Sequence, residues 1–243
     1  MQKISIQKLK WLKSLHLKKN RDKEASFIIE GEKTCVECIH VKSQEIGTIV
    51  CLSEHEDLVP SSLHHISYSA SKKELDRISK MKSPNKILVV MNKPAEVSFD
   101  SNKKSIILDN IQDPGNLGTI IRTADWFGID QIICSPHCAD VYNSKTLQAS
   151  MGSFLRVNVF YTALIPFIEK HPFKIAGAFL DGKPLSPKIM TESNALMLGN
   201  EGQGISKELV KYCQNPVKIM GKGQAESLNV SSAASILMHE WIK

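Results

Sequence analysis

The sequence of 243 residues predicts an α/β protein whose C-terminal part is a parallel β-sheet covered by helices. From Ser105 onward, short and continuously apolar strands alternate with helical segments, which is the pattern of βαβ units with helices on both faces of a sheet. Before this region, residues 25–91 contain a shorter set of strands and helices. The polar stretch at 93–105 has no clear periodicity and is interpreted as a linker. We therefore expect two domains, at residues 1–98 and 103–243.

The first 24 residues carry the whole net charge of +6, because they contain eight Lys and Arg residues and only two acidic ones. Leucines at helical spacing give this segment an apolar face, so it is expected to form a basic amphipathic helix. Such a helix suits a phosphate backbone, although a solvated surface helix that contacts nothing is the alternative. The candidate residues for binding such a phosphate backbone are Lys8, Lys10, Lys13, Lys18, Lys19, Arg21 and Lys23.

The next segment, up to residue 91, is expected to be a small α/β unit. Its strands are predicted at SFIIEG, GTIVCLSE, HHISYS and KILVVMN, and its helices at EKTCVECIHVKS and SKKELDRISKM. Its length and composition favour a binding module over a catalytic one.

In the C-terminal region, six strands alternate with five helices. The strands are predicted at SIILDNI, QIICS, VNVFYT, KIAGAF, ALMLGN and PVKIM. The helices are predicted at NLGTIIRTADWFG, NSKTLQASMG, ALIPFIEKH, ISKELVKYC and SLNVSSAASILMHEWIK. Ligands of parallel sheets bind at the carboxyl ends of strands, which draws attention to three polar loops. These are the first loop (DNIQDPGN, 109–116), the second (LGNEGQGI, 198–205) and the third (MGKGQAES, 220–227).

The three loops lack the signatures of common nucleotide sites. No Gly-Lys-Ser/Thr P-loop and no spaced glycines of a dinucleotide fingerprint occur in them. Ser227 or Asn229 is expected to cap the last helix. Arg122 is expected in the first turn of the helix after the first loop, where the helix dipole disfavours a cation. An ion pair with Asp125 is the structural alternative to a functional role for this arginine.

Composition excludes several classes of protein. The hydrophobic fraction of 42% and charged fraction of 23% are ordinary for a globular protein, and no apolar run approaches a membrane span. The N-terminus has no signal-peptide core, so a cytoplasmic protein with six free cysteines is expected. The pair Cys35 and Cys38 has no second CxxC or HxxxH partner, and no metal site is predicted.

Three segments resemble, in order and spacing, the motifs of the SpoU (TrmH-like) RNA ribose 2′-O-methyltransferases. They are NIQDPGNLGTIIRTADWFG, LMLGNEGQGIS and KIMGKGQAESLNVSSAASILMHEW. The stretch LKSLHLKKNRDKEASFIIEGEKTCVECI is similar to the small, ribosomal-protein-like RNA-binding domain that many members carry. That second match is looser.

The resemblance implies properties that the residues alone do not give. Members of the family form a deep trefoil knot, bind S-adenosylmethionine in it, and act as homodimers with the active site at the subunit interface. Gly199, Ile219 and Leu228 match positions whose backbone holds the cofactor, and Met220, Glu201 and Asn229 lie beside them. The implied catalytic set is Asn116, Arg122, Glu201, Ser227, Asn229 and Ser231.

Methyl transfer to a ribose hydroxyl requires that the hydroxyl lose a proton as it attacks. In the family, the matching arginine is the proposed general base that accepts this proton. A guanidinium rarely deprotonates, however. Arg122 is therefore expected to act either as the base or as an electrostatic stabiliser of the forming alkoxide. Ribosomal RNA is the first expected substrate and transfer RNA the second. A non-catalytic RNA-binding protein would predict a damaged motif, and none is found. A small-molecule enzyme that uses a nucleotide would predict a P-loop or a dinucleotide fingerprint, and neither is present.

Overall fold

The computed structural model describes residues 1–81, 86–95 and 97–243. The chain forms two compact units. One comprises the described residues up to position 96 together with Tyr142–Gln148, and the other comprises 97–141 and 149–243. Each unit contains one β-sheet.

The N-terminal unit is built on a mixed five-stranded sheet of order β1-β4-β3-β5-β2. Its strands are β1 (Gln2–Lys3), β2 (Ser26–Glu30), β3 (Ile46–Leu52), β4 (Ser67–Ala70) and β5 (Ile87–Asn92). Its helices are α1 (Ile6–Ser14), α2 (Lys18–Glu24), α3 (Glu32–Val41) and α4 (Lys72–Ile78). Strand β5 pairs antiparallel with both β2 and β3, and β4 pairs parallel with β1 and β3.

The basic N-terminal segment is part of this unit's core. Leu9, Leu12 and Leu15 are buried in one cluster with Leu75 and Ile78 of α4. The apolar side of α1 therefore packs against α4 and the sheet, which fixes the helix and leaves its lysines to the other side. The amphipathic pattern is confirmed, but the segment divides into two helices and a short strand.

The C-terminal unit is a parallel six-stranded sheet of order β11-β9-β10-β6-β7-β8. Its strands are β6 (Ser105–Leu108), β7 (Gln131–Cys134), β8 (Asn158–Tyr161), β9 (Ile175–Pro184), β10 (Ala195–Leu198) and β11 (Asn215–Lys218). Its helices are α5 (Pro114–Trp126), α7 (Leu164–Lys170), α8 (Pro187–Thr191), α9 (Lys207–Val210) and α10 (Val230–Ile242), and helix α6 (Ser144–Ser150) lies between β7 and β8 in sequence. The central strands are buried along their length, as expected for a sheet covered on both faces. The predicted α/β class and the parallel sheet are confirmed.

Several local predictions are wrong. Residues 64–66 lie in a 3₁₀ turn, and the predicted strand begins only at Ser67. Strand β9 continues to Pro184, because its second half pairs with Val217 and Lys218 across a register shift in β11. The last helix begins at Val230 rather than Ser227. Pro187 and its capping residue Ser186 start the unpredicted helix α8.

Within the described residues, no helix has both the length and the apolar character needed to cross a membrane. All six cysteines are buried and unpaired. Burial raises the pKa of the Cys38 thiol to about 12, so this thiol is protonated at neutral pH. The described part of the chain contains no cluster of three metal-ligating side chains.

Candidate active site

The three polar loops follow the carboxyl ends of β6, β10 and β11 in the C-terminal sheet, where β6 and β10 are neighbours and β9 lies between β10 and β11. The first loop leaves β6, the second leaves the adjacent strand β10, and the third follows Lys218 at the end of β11. Because β6 and β10 run parallel side by side, their loops emerge at the same edge. The predicted grouping of the first and second loops follows from this topology.

The first loop ends in the N-terminus of α5. The Asp113 side chain caps this helix by accepting a hydrogen bond from the Asn116 backbone N–H at 2.9 Å, and Pro114 occupies the first helical position. Proline is preferred there because that N–H has no helical partner to lose. The cap places Asn116 in the first turn of α5, where its side chain faces the second and third motifs.

Four polar side chains from three separate motifs form one chain of hydrogen bonds. Ser231 donates to the Oδ1 atom of Asn229 from its backbone N–H at 2.9 Å and from its hydroxyl at 2.6 Å. The amide nitrogen of Asn229 donates to Oδ1 of Asn116 at 3.0 Å. The amide nitrogen of Asn116 in turn donates to Oε1 of Glu201 at 2.8 Å.

The direction of this chain is fixed by its first member. A backbone N–H can only donate, so the oxygen of Asn229 must face Ser231 as the N-cap of α10. The nitrogen of Asn229 then faces Asn116, and the nitrogen of Asn116 faces Glu201, which as a carboxylate accepts. Only one of the two Glu201 oxygens takes part, since no protein donor within the described residues reaches Oε2.

Asn200 shapes the second loop that carries Glu201. Its side-chain oxygen accepts the backbone N–H groups of Gly202 and Gln203 at 3.0 and 3.1 Å, and its nitrogen donates to the Asn110 carbonyl at 2.9 Å. Asn110 belongs to the first loop and has a positive φ of 56°. The two loops are therefore tied together by a residue that sequence reasoning did not select.

Asp109 is a second missed residue. It is buried, and its Oδ2 atom accepts the backbone N–H of Ser206 at 2.8 Å and the Ser206 hydroxyl at 2.5 Å. This contact anchors the far end of the second loop to the end of β6. An acidic residue directly after an apolar strand was the available signal, because such a carboxylate needs partners when buried.

Gly199 begins the second loop at a close approach of two backbone segments. A Cβ atom at this position would lie 2.1 Å from the Gly204 carbonyl carbon and 2.1 Å from the Ile205 nitrogen. Asn200 and Gly204 also exchange two backbone hydrogen bonds. Glycine is therefore required here for steric reasons, independent of any ligand.

The three positions assigned to the cofactor share one property. Within the part of the chain that the structure describes, no protein group pairs with the backbone N–H or C=O of Gly199, Ile219 or Leu228. The neighbouring side chains of Met220 and Leu228 are apolar and exposed, at 65% and 49%. Free backbone groups beside exposed apolar side chains suit an adenosine-like ligand, whose base offers both an apolar face and hydrogen-bonding edges.

Arg122 does not lie where the sequence predicted. Helix α5 begins at Pro114, so Arg122 is in its third turn and not at the positive end of the dipole. The premise of an unfavourable helix end is wrong, because Asp113 and Pro114 start the helix earlier than the glycine loop suggested. Arg122 is also about 9 Å along the helix axis from Asn116, outside the hydrogen-bonded chain.

The proposed ion pair between Arg122 and Asp125 is absent. Asp125 instead accepts Nε of Arg156 at 3.0 Å and Nη2 at 2.8 Å. Burial raises the pKa of Asp125, but hydrogen bonds from Arg156 and Ser153 outweigh it and leave the pKa below its usual value. Arg122 is exposed and forms no ion pair or hydrogen bond within the described residues, so it is available to a ligand or a partner.

Ser227 is exposed and lies two residues before the cap of α10. It takes no part in the chain of hydrogen bonds, whereas Ser231 is buried and does. Of the six predicted catalytic residues, the structure thus brings together Asn116, Glu201, Asn229 and Ser231.

The predicted RNA-binding residues of the N-terminal unit differ in their surroundings. Arg21 is buried, and its Nη1 atom donates to the carbonyls of Leu15 and His16 at 3.1 and 2.8 Å, so it caps the end of α1. Lys18 pairs with Asp22. Lys8 lies over the Trp11 ring, where burial lowers its pKa. The exposed lysines without an ion pair among the described residues are Lys10, Lys13, Lys19 and Lys23.

Two family models match the chain. Residues 103–239 match the SpoU rRNA methylase family, and residues 7–89 match an MRM3-like substrate-binding domain. The chain is 35% identical over 239 residues to the 23S rRNA (guanosine(2553)-2′-O)-methyltransferase RlmP of Bacillus subtilis, covering 96% of this chain and 95% of that one.

Two solved structures share the fold over almost the whole chain. One, from Porphyromonas gingivalis and described as belonging to the TrmH family of RNA methyltransferases, has a TM-score of 0.85 and 33% identity, and the match covers 98% of each chain. The other is an AdoMet-bound rRNA methyltransferase from Sinorhizobium meliloti, with a TM-score of 0.85, 24% identity, and coverage of 99% of this chain and 96% of that one. With its three motifs, its sheet topology and these matches, the chain belongs to the SpoU rRNA methylase family.

Proposed function

We propose that this protein transfers the methyl group of S-adenosylmethionine to a ribose 2′-hydroxyl of ribosomal RNA. The observation that carries the proposal is the chain of hydrogen bonds through Asn229, Asn116 and Glu201, which joins all three motifs at one edge of the sheet. Ribosomal RNA is favoured because the RlmP relative of Bacillus subtilis is named as a 23S rRNA methyltransferase. Transfer RNA is the alternative substrate, and a protein that binds RNA without modifying it is the third.

The residues present fit the cofactor. The unpaired backbone groups at Gly199, Ile219 and Leu228 would hold the adenosine, and Met220 would cover its apolar face. When bound, S-adenosylmethionine supplies an electrophilic methyl group. Glu201 and Asn229 would border it, because the chain of hydrogen bonds fixes both side chains.

The protein's own part of the reaction is to orient the hydroxyl and to manage its proton. Asn116 and Asn229 hold Glu201 so that Oε2 remains open to a substrate donor. Arg122, which is exposed and unpaired among the described residues, would stabilise the developing alkoxide as a fixed positive charge, or, after losing its own proton, would accept the proton of the 2′-hydroxyl. The electrostatic role is easier to supply, because a guanidinium keeps its proton at neutral pH. Ser227 would contribute to substrate orientation from the third loop.

A second copy of the chain completes the site in this proposal. Trp126 is 83% exposed on α5, one turn after Arg122 and on the same side of the helix. Ile236 of α10 is also exposed, and the hydroxyls of Thr123 and Ser235 join α5 to α10 at 3.3 Å. A homodimer formed through these two helices would cover this apolar surface and place Arg122 at the interface.

The proposal also covers the knot, the domain boundaries, the RNA contacts and the compartment. The knot is supported by membership of the family. The domains are placed at 1–98 and 103–243. RNA contacts are assigned to Lys8, Lys10, Lys13, Lys18, Lys19 and Lys23, and Arg21 is left out because it is buried. The reducing cytoplasm suits six unpaired thiols, and no metal is required.

Labelled S-adenosylmethionine and unmodified total RNA test the proposal. Ribosomal and transfer RNA fractions are separated after the reaction, with the wild type beside Arg122→Ala. Label in ribosomal RNA alone, lost in the variant, is the expected result. Label in transfer RNA would keep the chemistry and overturn the substrate. Cofactor binding without label in either fraction would contradict naked RNA as substrate, and failure to bind the cofactor would overturn the methyltransferase assignment.

A further inference from the structure

A concave basic surface lies in the N-terminal unit between the ends of α1 and α4. This cleft has a volume of about 610 Å³. It is lined by Lys10, Lys13, Ser14, His16, Leu17, Arg77, Ile78, Ser79 and Lys80. We name it the α1–α4 cleft. It contains four long cationic side chains, and none of its described lining residues is acidic.

The cations of the cleft come from α1, from α4 and from Lys80 just after α4, and tertiary contacts hold these segments in place. The His16 Nε2 atom lies 2.6 Å from the Ile78 carbonyl, which joins the turn after α1 to the end of α4. On the α1 side, Arg21 holds the carbonyls of Leu15 and His16. The burial of Leu12 and Leu75 in one core fixes both helices against the sheet.

The α4 side is anchored by a buried carboxylate. Glu30 ends strand β2 and is 8% exposed. Its two carboxylate oxygens accept hydrogen bonds from the backbone N–H of Lys80 at 3.0 and 3.1 Å. One of them, Oε2, also accepts a hydrogen bond from the Ser79 hydroxyl. The two residues that form this wall of the cleft are therefore fixed to the sheet, so their position is part of the fold.

The charges of the cleft are not neutralised by the protein. Lys10, Lys13, Arg77 and Lys80 are exposed and form no ion pair among the residues described. Two acids of this unit are already bound within the protein, since Asp22 pairs with Lys18 and Lys93 and Glu74 accepts the Ser71 hydroxyl. Four uncompensated cations around one concavity attract an anion with several charges, as a nucleic-acid backbone has.

The shape and floor of the cleft indicate which part of an RNA it takes. A duplex presents its phosphates on a convex surface and hides its bases, whereas unpaired nucleotides can be splayed out into a pocket. The volume lies in the range of small-ligand sites. Leu17 is 55% exposed at its rim, and it offers an apolar contact that a phosphate does not need but a base does.

We propose that the α1–α4 cleft binds an unpaired nucleotide of the RNA substrate, with its phosphates held by Lys10, Lys13, Arg77 and Lys80 and its base placed against Leu17. The inference rests on the proposed function, since it assumes that RNA is the substrate. It adds Arg77 and Lys80 to the RNA surface, and it separates Lys10 and Lys13 from Lys8, whose side chain is engaged by Trp11.

The test measures the affinity of the full-length protein for a short single-stranded RNA and for a duplex of the same sequence, over a series of salt concentrations. We compare the wild type with Lys10→Gln/Lys13→Gln and with Arg77→Gln/Lys80→Gln. The matched control is Lys72→Gln/Lys73→Gln, which removes the same charge from the exposed start of α4. Leu17→Ala tests the apolar contact separately.

Each double variant in the cleft is expected to lower the salt slope for single-stranded RNA by about 1.4, the value for two phosphates on a single strand. The control should keep the wild-type slope. Leu17→Ala should weaken single-strand binding roughly fivefold without changing the slope, because it removes no charge. The inference would be overturned by a salt slope that is unchanged in both cleft variants or that falls equally in the control. It would also be overturned if the wild type bound the duplex as tightly as the single strand, or more tightly.

Methyl transfer to ribosomal RNA separates this inference from the proposed function. The cleft variants should raise KM and leave kcat at the wild-type value, because they weaken binding away from the reacting atoms. Wild-type kinetics in both double variants would contradict the cleft and leave the methyltransferase intact. Absence of methyl transfer by the wild type would overturn the function, while the binding series would still decide whether the cleft holds RNA.

Discussion

The amide nitrogen of Asn229 donates to the side-chain oxygen of Asn116 at 3.0 Å, although the two residues are 113 positions apart in the sequence. The same Asn229 caps α10, so one side chain both starts the last helix and orients the polar residue of the first motif. Stability and catalytic geometry are therefore combined in one residue. A substitution that keeps the capping oxygen but replaces the amide nitrogen with a second oxygen would separate the effect on stability from the effect on catalysis.

Asn229→Asp is that substitution. Aspartate caps a helix as well as asparagine does, so the free energy of unfolding should stay within about 0.5 kcal/mol of the wild type. The second carboxylate oxygen would face Oδ1 of Asn116 with no proton to donate, so the chain to Glu201 breaks and kcat should fall about 100-fold. Urea unfolding and methyl transfer measure the two effects. Asn229→Ala should lose about 1 kcal/mol as well, and a fully active Asp variant would remove this contact from the mechanism.

Arg122 can be tested through charge alone. Arg122→Ala should lower kcat about 100- to 1,000-fold, the usual effect of removing one group that stabilises an oxyanion. The affinity for S-adenosylmethionine should not change, because the proposed cofactor contacts lie in the second and third loops. Calorimetry with the cofactor and single-turnover methyl transfer give the two values. Arg122→Lys is the informative companion, since it keeps the charge but loses the planar donor set, and its partial activity would favour the electrostatic role.

Gly199→Ala should disturb the second loop itself. The added Cβ would lie 2.1 Å from backbone atoms of Gly204 and Ile205, which cannot move as a flexible side chain would. We expect a loss of about 2 kcal/mol in the free energy of unfolding and weaker binding of S-adenosylmethionine. Gly223→Ala is the control for stability, because a Cβ there meets no atom within 4 Å. Equal unfolding midpoints for the two variants would show that the close approach is not maintained in solution.

The sequence predicted the parallel sheet and the three loops because continuous apolar strands, helical periodicity and glycine are local signals. It placed Arg122 in the wrong turn of α5, although the signal for the true start was present in Asp113 followed by Pro114, a capping residue before a proline. No local sequence signal indicated that the Arg21 side chain would donate hydrogen bonds to two backbone carbonyls. A charged side chain is predicted to be exposed from sequence, because the tertiary contacts that bury it leave no local pattern.

The same limit applies to the site. Asn116, Glu201 and Asn229 were selected through the resemblance to a family, and each by itself is an ordinary loop or cap residue. Their hydrogen bonds depend on the order of β6 and β10 in the sheet, which periodicity does not determine. Asn200 and Asp109 were missed for this reason, because their partners lie 90 and 97 positions away.

Trp126→Glu tests the proposed dimer. A tryptophan that is 83% exposed contributes little to the stability of a monomer, whereas a charge in its place would oppose burial against a second copy. The variant should sediment as a monomer, with its secondary structure unchanged and its methyl transfer reduced. Leu180→Glu is the matched control, since Leu180 is 65% exposed on β9, and it should keep the wild-type sedimentation. A wild type that sediments as a monomer would contradict the proposed interface.

The ion pair between Asp125 and Arg156 predicts a pH-dependent contribution to stability. The pKa of Asp125 in the folded protein lies below its ordinary value, so the unfolded chain binds the proton more readily. The contribution is therefore present above the unfolded pKa of about 3.9 and is lost as the pH falls through the folded pKa. Asp125→Asn should cost about 0.5–1 kcal/mol at neutral pH, a value reduced by the exposure of Arg156, and the deficit should shrink as the pH falls below about 4.

The control is Asp130→Asn, because the pair of Asp130 with Lys103 is exposed on both sides and should contribute little at any pH. Urea unfolding of both variants at neutral and acidic pH measures the difference.

The same Asp125 variant also tests the role of Arg122, since Asp125 is bound by Arg156 and leaves Arg122 without that partner. Methyl transfer by Asp125→Asn should therefore match the wild type. A large loss of kcat would mean that Asp125 holds Arg122 during the reaction, and the free charge assigned to Arg122 would have to be given up.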